Sequence, residues 1–165
     1  EFFNAVFDAL GTDLPLIVED LGNLTKEVAE LRDCFKLTDV RMLQYGFTYQ
    51  SDNIHIPHNY IQNCIAYTST HDTLTGIGWW KHHASDDEKR KFLNYISLSQ
   101  MYDVSVGVAE KKHNQDVVLS YLNGHINWFL IQLLLETVAD TTIIQFQDLL
   151  GLDNESRMND PSLCK

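Results

Sequence analysis

Glu19 and Asp72 carry the chemistry that this sequence offers most plainly. Each stands just past a short apolar run. Leu14-Pro15-Leu16-Ile17-Val18 stops at Glu19-Asp20, and Cys64-Ile65-Ala66-Tyr67-Thr68 stops at Ser69-Thr70-His71-Asp72. Short continuous apolar runs bounded by turn residues read as buried parallel strands, and parallel α/β folds place their reactive groups at the carboxyl ends of such strands. Two carboxylates converging there from neighbouring strands suit glycoside chemistry. One serves as acid and base at the glycosidic oxygen, and the other meets the positive charge that develops at the sugar carbon. The same spacing also suits acids that merely cap the helix after each strand, so spacing alone leaves both readings open.

The elements that must position these groups follow from periodicity. Phe2, Phe3, Val6, Phe7 and Leu10 form a helical apolar stripe directly after Glu1, as if the chain starts inside a fold. Asp8 falls within that helical pattern, not at a strand end. Gly11-Thr12-Asp13 makes a turn into the first strand, residues 14–18. Thr25 caps a helix with Val28, Leu31 and Phe35 on its apolar face. A second strand is expected over about 40–47, a polar loop over 48–63, and a third strand over 64–68. Helical patterns cover about 86–100, by Phe92, Tyr95, Ile96 and Ser99, and 115–139, by Val118, Leu122, Ile126, Phe129, Leu133 and Val138. A fourth strand is expected over 142–146. With no repeat and no low-complexity linker, residues 1–165 read as one α/β domain. Four such strands are half of a (β/α)₈ TIM barrel, which takes about 250 residues in full.

Composition excludes several functions. The net charge of −11, from 23 acidic against 12 basic residues, leaves no Lys/Arg surplus for a phosphate backbone, so no nucleic acid is expected. The apolar stretch Trp128 to Leu135 is interrupted by Gln132 and followed by Glu136. It falls short of the roughly 20 residues that span a bilayer, and no membrane role is expected. Cys34, Cys64 and Cys164 are odd in number and widely spaced, which fits a reducing, cytoplasmic location better than a disulfide framework. His55, His58, His71, His82 and His83 crowd one region without zinc-motif spacing, so no metal is expected. Trp79 and Trp80 suit packing better than a sugar platform. The run Asp86 to Lys91 reads as a solvated helix start.

Longer strings add a resemblance. They are Leu16-Ile17-Val18-Glu19-Asp20-Leu21-Gly22-Asn23-Leu24-Thr25, Leu31-Arg32-Asp33, Arg41-Met42-Leu43-Gln44-Tyr45-Gly46-Phe47, Pro57-His58-Asn59-Tyr60, and Tyr67 through Trp80 with His71-Asp72 and Gly78-Trp79-Trp80. Gln147-Asp148-Leu149-Leu150-Gly151-Leu152 and Arg157-Met158-Asn159 follow in order. Together they resemble the C-terminal half of the catalytic barrel of amylomaltase-type 4-α-glucanotransferases, glycoside hydrolase family 77. Departures are small: Val18 stands where a small residue is usual, Gln145 where proline is common, and Ser162 where glycine usually follows proline.

The resemblance implies that Glu19 is the general acid/base and Asp72 the transition-state carboxylate, with His71 at the same subsite. It implies that Tyr45 lies near the acceptor sugar, although a core aromatic is an equal reading of that residue, and that His58 and Asn59 line a loop near the sugar. The nucleophilic aspartate would lie on a preceding strand outside these residues. The implied activity is transfer of α-1,4-glucan segments between maltooligosaccharides with retention, without cofactor or metal. Maltooligosaccharides and α-1,4-glucans would be its partners, and the chain would self-associate or need the rest of its barrel. Two alternatives stand beside this reading: an α-amylase-like hydrolase, and an inactive half-barrel that only binds glucan or assembles.

Overall fold

A parallel sheet forms the spine of the chain. Strands β1 (Asp39–Met42), β2 (Cys64–Tyr67) and β3 (Thr141–Ile143) lie in that order, all parallel, with Val40 opposite Ile65 and Tyr67 opposite Ile143. These come from a computed structural model that describes residues 1–12, 14–19, 25–48, 52–97 and 115–161, and only the backbone at 97 and 115–120. Asp20 and residues 21–24 of the first motif, residues 98–100 of the expected helix, Ser162 and Cys164 lie outside the described residues.

Three expected strands differ in extent. The run 14–18 contributes one parallel bridge, Ile17 to Thr38, with Val18 N donating to Thr38 O at 3.2 Å. Pro15 has no N–H to give a ladder, and Leu16 N turns back to Leu14 O at 2.8 Å, so pairing starts only after both. The expected strand 40–47 ends at Met42, where the chain tightens into a 3₁₀ turn, Leu43–Phe47. A Cβ on Gly46 would come 2.6 Å from His55 O, so glycine is required where this turn meets the next loop. The expected strand 142–146 is shifted and shortened to Thr141–Ile143, because Phe146 opens a short helix. Gln145 before it has φ −63°, the value a proline ring would fix.

Alternation along the strands sorts side chains to two faces. Cys64 and Ala66 belong to the main hydrophobic core, and their register partners Asp39 and Arg41 share that face. Helices cover it. Helix α1 (Phe2–Leu10) packs Phe3 and Phe7 on Phe35, with ring centroids 5.2 and 5.5 Å apart. Phe35 itself ends helix α2 (Lys26–Cys34); Thr25 stands at its N-cap position as expected but makes no side-chain cap bond, and Val28 and Leu31 of the expected apolar face are exposed. The main core is built by α3 (Gly76–Gly78), which runs on as a π turn (Trp79–His83), by α4 (Asp86–Ser97), and by α5 (Gln115–Leu135). Helix α5 stops short of Ala139 because Thr137 caps it, donating from Oγ1 to Leu134 O at 2.8 Å.

Trp80 is 0% exposed, meets Phe92 edge-on at 5.5 Å, and donates from Nε1 to Asn123 Oδ1 at 2.8 Å. Trp79 is buried beside it, so both tryptophans pack, as their place in a helix suggests. At the amino end of β1, buried Asp39 accepts from Arg32 Nη1 at 2.7 Å and from Arg41 Nη1, while its other oxygen takes Val40 N at 2.7 Å. A buried carboxylate tolerates its site only when paired and hydrogen-bonded in this way. Among the described residues no helix is long and apolar enough to cross a membrane.

Candidate active site

The loop after β2 is short and tied down on every side. Thr68 and Ser69 leave the strand buried. Thr70 N then donates to Thr73 Oγ1 at 2.8 Å and Thr73 N to Thr70 O at 3.3 Å, closing a tight turn that puts His71 and Asp72 at its exposed corners. Thr75 caps α3 by accepting from Gly78 N at 3.0 Å. Gln44 Nε2, on the turn after β1, donates to Leu74 O at 2.7 Å and joins the two loops.

Asp72 is the best-supported side chain of the loop. Its Oδ1 accepts from Asn159 Nδ2, its Oδ2 lies 3.3 Å from His71 Nε2, and its backbone oxygen takes Arg157 Nη2 at 3.3 Å. With 44% of the side chain still exposed, the carboxylate keeps lone pairs for further donors such as sugar hydroxyls. Arg157 and Asn159 reach it from the segment after the last 3₁₀ turn (Asn154–Ser156). Asp153 caps that turn, accepting from Asn154 N at 2.8 Å, and the same bond holds the Asp153 carboxyl below the usual carboxylate range, with help from His82 and Lys81. Asn154 Oδ1 in turn accepts from Thr75 N at 3.3 Å.

Glu19 approaches from another strand position. Alternation from the Ile17–Thr38 bridge puts it on the face of Val40, Met42, Ile65 and Tyr67, away from the helices. The phenol of Tyr67 is pushed up first by burial and then by the negative charge of Glu19, so the carboxylate lies within electrostatic reach of the end of β2. Glu19 itself is exposed. Glu19 and Asp72 do not stand on adjacent strands, because β1 lies between the 14–18 segment and β2.

Tyr45 is exposed on the turn after β1, its ring edge-on to His55 at 5.7 Å. His55 Nδ1 accepts from Met42 N at 3.1 Å, which fixes this pair to the carboxyl end of β1. His58 stacks on Tyr95 of α4 with centroids 5.6 Å apart and ring nitrogen 3.3 Å from the phenol oxygen. Asn59 Nδ2 donates to Asn53 O at 3.0 Å, a contact that shapes the loop. Tyr45 is thus set at a strand end, whereas His58 and Asn59 are held within their own loop and against α4.

Sequence reasoning gave no role to Asp148, Arg157 or Asn159, although all three sit in the quoted motifs. Only Asp148, an acid soon after β3, carried any local signal; Arg157 and Asn159 come after the last 3₁₀ turn, far from a strand end. Among the described residues no three His, Cys, Asp or Glu are grouped to hold a metal ion. A cavity of about 500 Å³ opens among Phe7, Leu14, Leu16, Phe35 and Leu37. It also takes in Thr12, Lys36 and Thr38, and lies beside the amino end of β1 and not beside the His71-Asp72 loop, in the gap between α1, α2 and the first strand segment.

Comparison with known proteins supplies the context for this geometry. A family model described as 4-alpha-glucanotransferase, glycoside hydrolase family 77, matches residues 1–165. The chain is 35% identical, over 99% of its length, to the chloroplastic/amyloplastic 4-alpha-glucanotransferase of Oryza sativa, covering 24% of that protein. It is 36% identical over 98% of its length to the 4-alpha-glucanotransferase of Synechocystis, covering 28% of that protein. Among solved structures, the amylomaltase from Streptococcus agalactiae in complex with acarbose superimposes with a TM-score of 0.76 at 29% identity, over 99% of this chain and 28% of that one. The amylomaltase from Corynebacterium glutamicum, at 14% identity and a TM-score of 0.57, shares the fold. The chain spans about a quarter of the length of these relatives. It belongs to glycoside hydrolase family 77, the 4-alpha-glucanotransferase family.

Proposed function

We propose that the chain is the C-terminal half of a (β/α)₈ barrel in an enzyme that transfers α-1,4-glucan segments between maltooligosaccharides with retention. The observation that carries this reading is the placement of Asp72. It is an exposed carboxylate after β2, braced by Asn159 on one oxygen and His71 on the other, while Glu19 sits near enough to influence Tyr67 at the end of that strand. Glu19 protonates the leaving glycosidic oxygen, then takes the proton of the incoming 4-hydroxyl. Asp72 holds ring hydroxyls by bonds that strengthen as the sugar flattens, with His71 beside it, which is differential stabilisation of the transition state. The nucleophilic carboxylate, which forms the glucanyl-enzyme and makes the overall outcome retaining, comes from chain outside these 165 residues. The acarbose bound by the Streptococcus agalactiae amylomaltase supports a sugar chain as ligand.

The rest of the barrel, or a second copy, covers the outer edge of the 14–18 segment, where Ile17 is 52% exposed and, among the described residues, pairing is to Thr38 on one edge only. Cys34 and Cys64 are free thiols, which fits a reducing, cytoplasmic setting. The full-length protein incubated with maltotriose alone tests the activity. Transfer yields glucose and maltopentaose in equal amounts, with the new linkage α by NMR. An α-amylase-like hydrolase yields maltose with glucose and no longer product, and that outcome refutes the proposal.

A further inference from the structure

We infer that Asp148 is a positioning residue for the His71-Asp72 loop, a role that rests on the functional reading above. Asp148 lies on helix α6 (Phe146–Leu149), after β3, and is 2% exposed. Its Oδ2 accepts from Thr68 Oγ1 at 2.6 Å and Ser69 Oγ at 2.5 Å, and its Oδ1 accepts from Gly76 N at 2.6 Å. These donors bracket the loop. Thr68 and Ser69 are its entry and Gly76 its exit, so one carboxylate closes the two ends of the segment that presents His71 and Asp72. The backbone that carries it is also held, because Asn127 Nδ2 of α5 donates to the Asp148 backbone oxygen at 3.1 Å.

A buried carboxylate is expensive unless its oxygens are fully engaged. Three short bonds from hydroxyls and a helix-start N–H supply that engagement, and a leucine in the same volume would leave Gly76 N and both hydroxyls without acceptors. Gly76 is matched to the arrangement. A Cβ there would come 2.9 Å from Leu130 Cδ1, so glycine lets the start of α3 pack closely against α5 beside the clasp. None of these groups touches Asp72; they set where its loop starts and stops.

The chemistry of the donors predicts a graded response. In Asp148→Asn the amide keeps one oxygen for Gly76 N–H, and the hydroxyls of Thr68 and Ser69 rotate to accept from its NH₂, so most activity is retained. In Asp148→Ala the clasp opens, and displacement of the loop by about 1 Å lowers kcat in maltotriose transfer by about 10- to 100-fold. The deciding measurement is a double-mutant cycle with Asp72→Asn in the full-length enzyme, following release of glucose from maltotriose. If Asp148 acts through Asp72, adding Asp148→Ala to Asp72→Asn lowers kcat by less than about threefold more, since the carboxylate being positioned is already gone.

A purely structural role would lower kcat by the same factor in both backgrounds, and that multiplicative result overturns the inference while leaving the roles of Glu19 and Asp72 intact. Wild-type kcat in Asp148→Ala overturns it as well. Full turnover in Glu19→Gln and Asp72→Asn alone defeats the functional reading and this inference with it. Should Asp148→Ala not fold, Ser69→Ala, which removes one bond of the clasp, runs the same cycle with the same criteria.

Discussion

Gly78→Ala should destabilise the protein even though alanine is the better helix former. In an open helix this change gains about 1 kcal/mol. Gly78 is not in open space: a Cβ built there overlaps the carboxamide of Asn154 outright. Asn154 Oδ1 is the acceptor for Thr75 N, on a residue only 3% exposed, so withdrawing the carboxamide breaks that bond. Making room therefore costs an overpacking penalty of about 1–3 kcal/mol and a part-buried hydrogen bond worth about 1 kcal/mol. Set against the propensity gain, the net loss is about 1–3 kcal/mol. Gly124→Ala is the control, since Gly124 lies within α5 with nothing within 4 Å of its built Cβ. That change should stabilise by about 0.5–1 kcal/mol. Urea denaturation of both variants gives the two signs directly. Gly78→Ala matching or exceeding wild-type stability would refute the argument that this glycine exists for the approach of Asn154.

Tyr60 and Trp80 yield two further tests, and the isolated chain a third. Tyr60 Oη is buried without a hydrogen-bond partner among the described residues, so Tyr60→Phe should be neutral or stabilising by about 1 kcal/mol in thermal unfolding. Burial also raises the Tyr60 pKa above its ordinary 10.0. Its contribution is thus fully present below pH 10 and is lost as pH rises beyond it, so Tyr60→Phe should flatten the alkaline fall in stability. Trp80→Ala should cost about 3–5 kcal/mol by urea denaturation, because it empties a fully enclosed site. On the proposal that the nucleophile lies elsewhere in the full-length protein, the isolated 165-residue chain should show no transfer from maltotriose; with the 14–18 segment bridged on one edge among the described residues, it should also self-associate by light scattering.

The sequence made the helices and the strand at Cys64 legible because their periodicity is strong and their ends carry turn chemistry. It overestimated the strands at 14–18 and 40–47 for two local reasons. Pro15 withholds a donor, and a short, mostly apolar stretch such as Met42 to Phe47 looks the same whether it is a buried strand or a buried 3₁₀ turn. Glu19 and Asp72 were readable as strand-end carboxylates, but their separation by β1 was not, because pairing order is a non-local property. The braces of Asp72 were also hidden. Arg157 and Asn159 lie more than 80 positions along the chain from it, and no spacing rule links residues that meet only after the sheet has formed. Asp148 gave a signal of the wrong kind, since a lone aspartate after an apolar run reads as a helix cap.

Glu19→Gln in the full-length protein tests the central claim most directly. The amide still bonds sugar hydroxyls but cannot deliver or take the proton, so transfer from maltotriose should fall by about 10² to 10⁴, with oligosaccharide affinity by calorimetry nearly unchanged. Turnover within a few-fold of wild type would contradict the account, because acid/base catalysis would then belong to another residue.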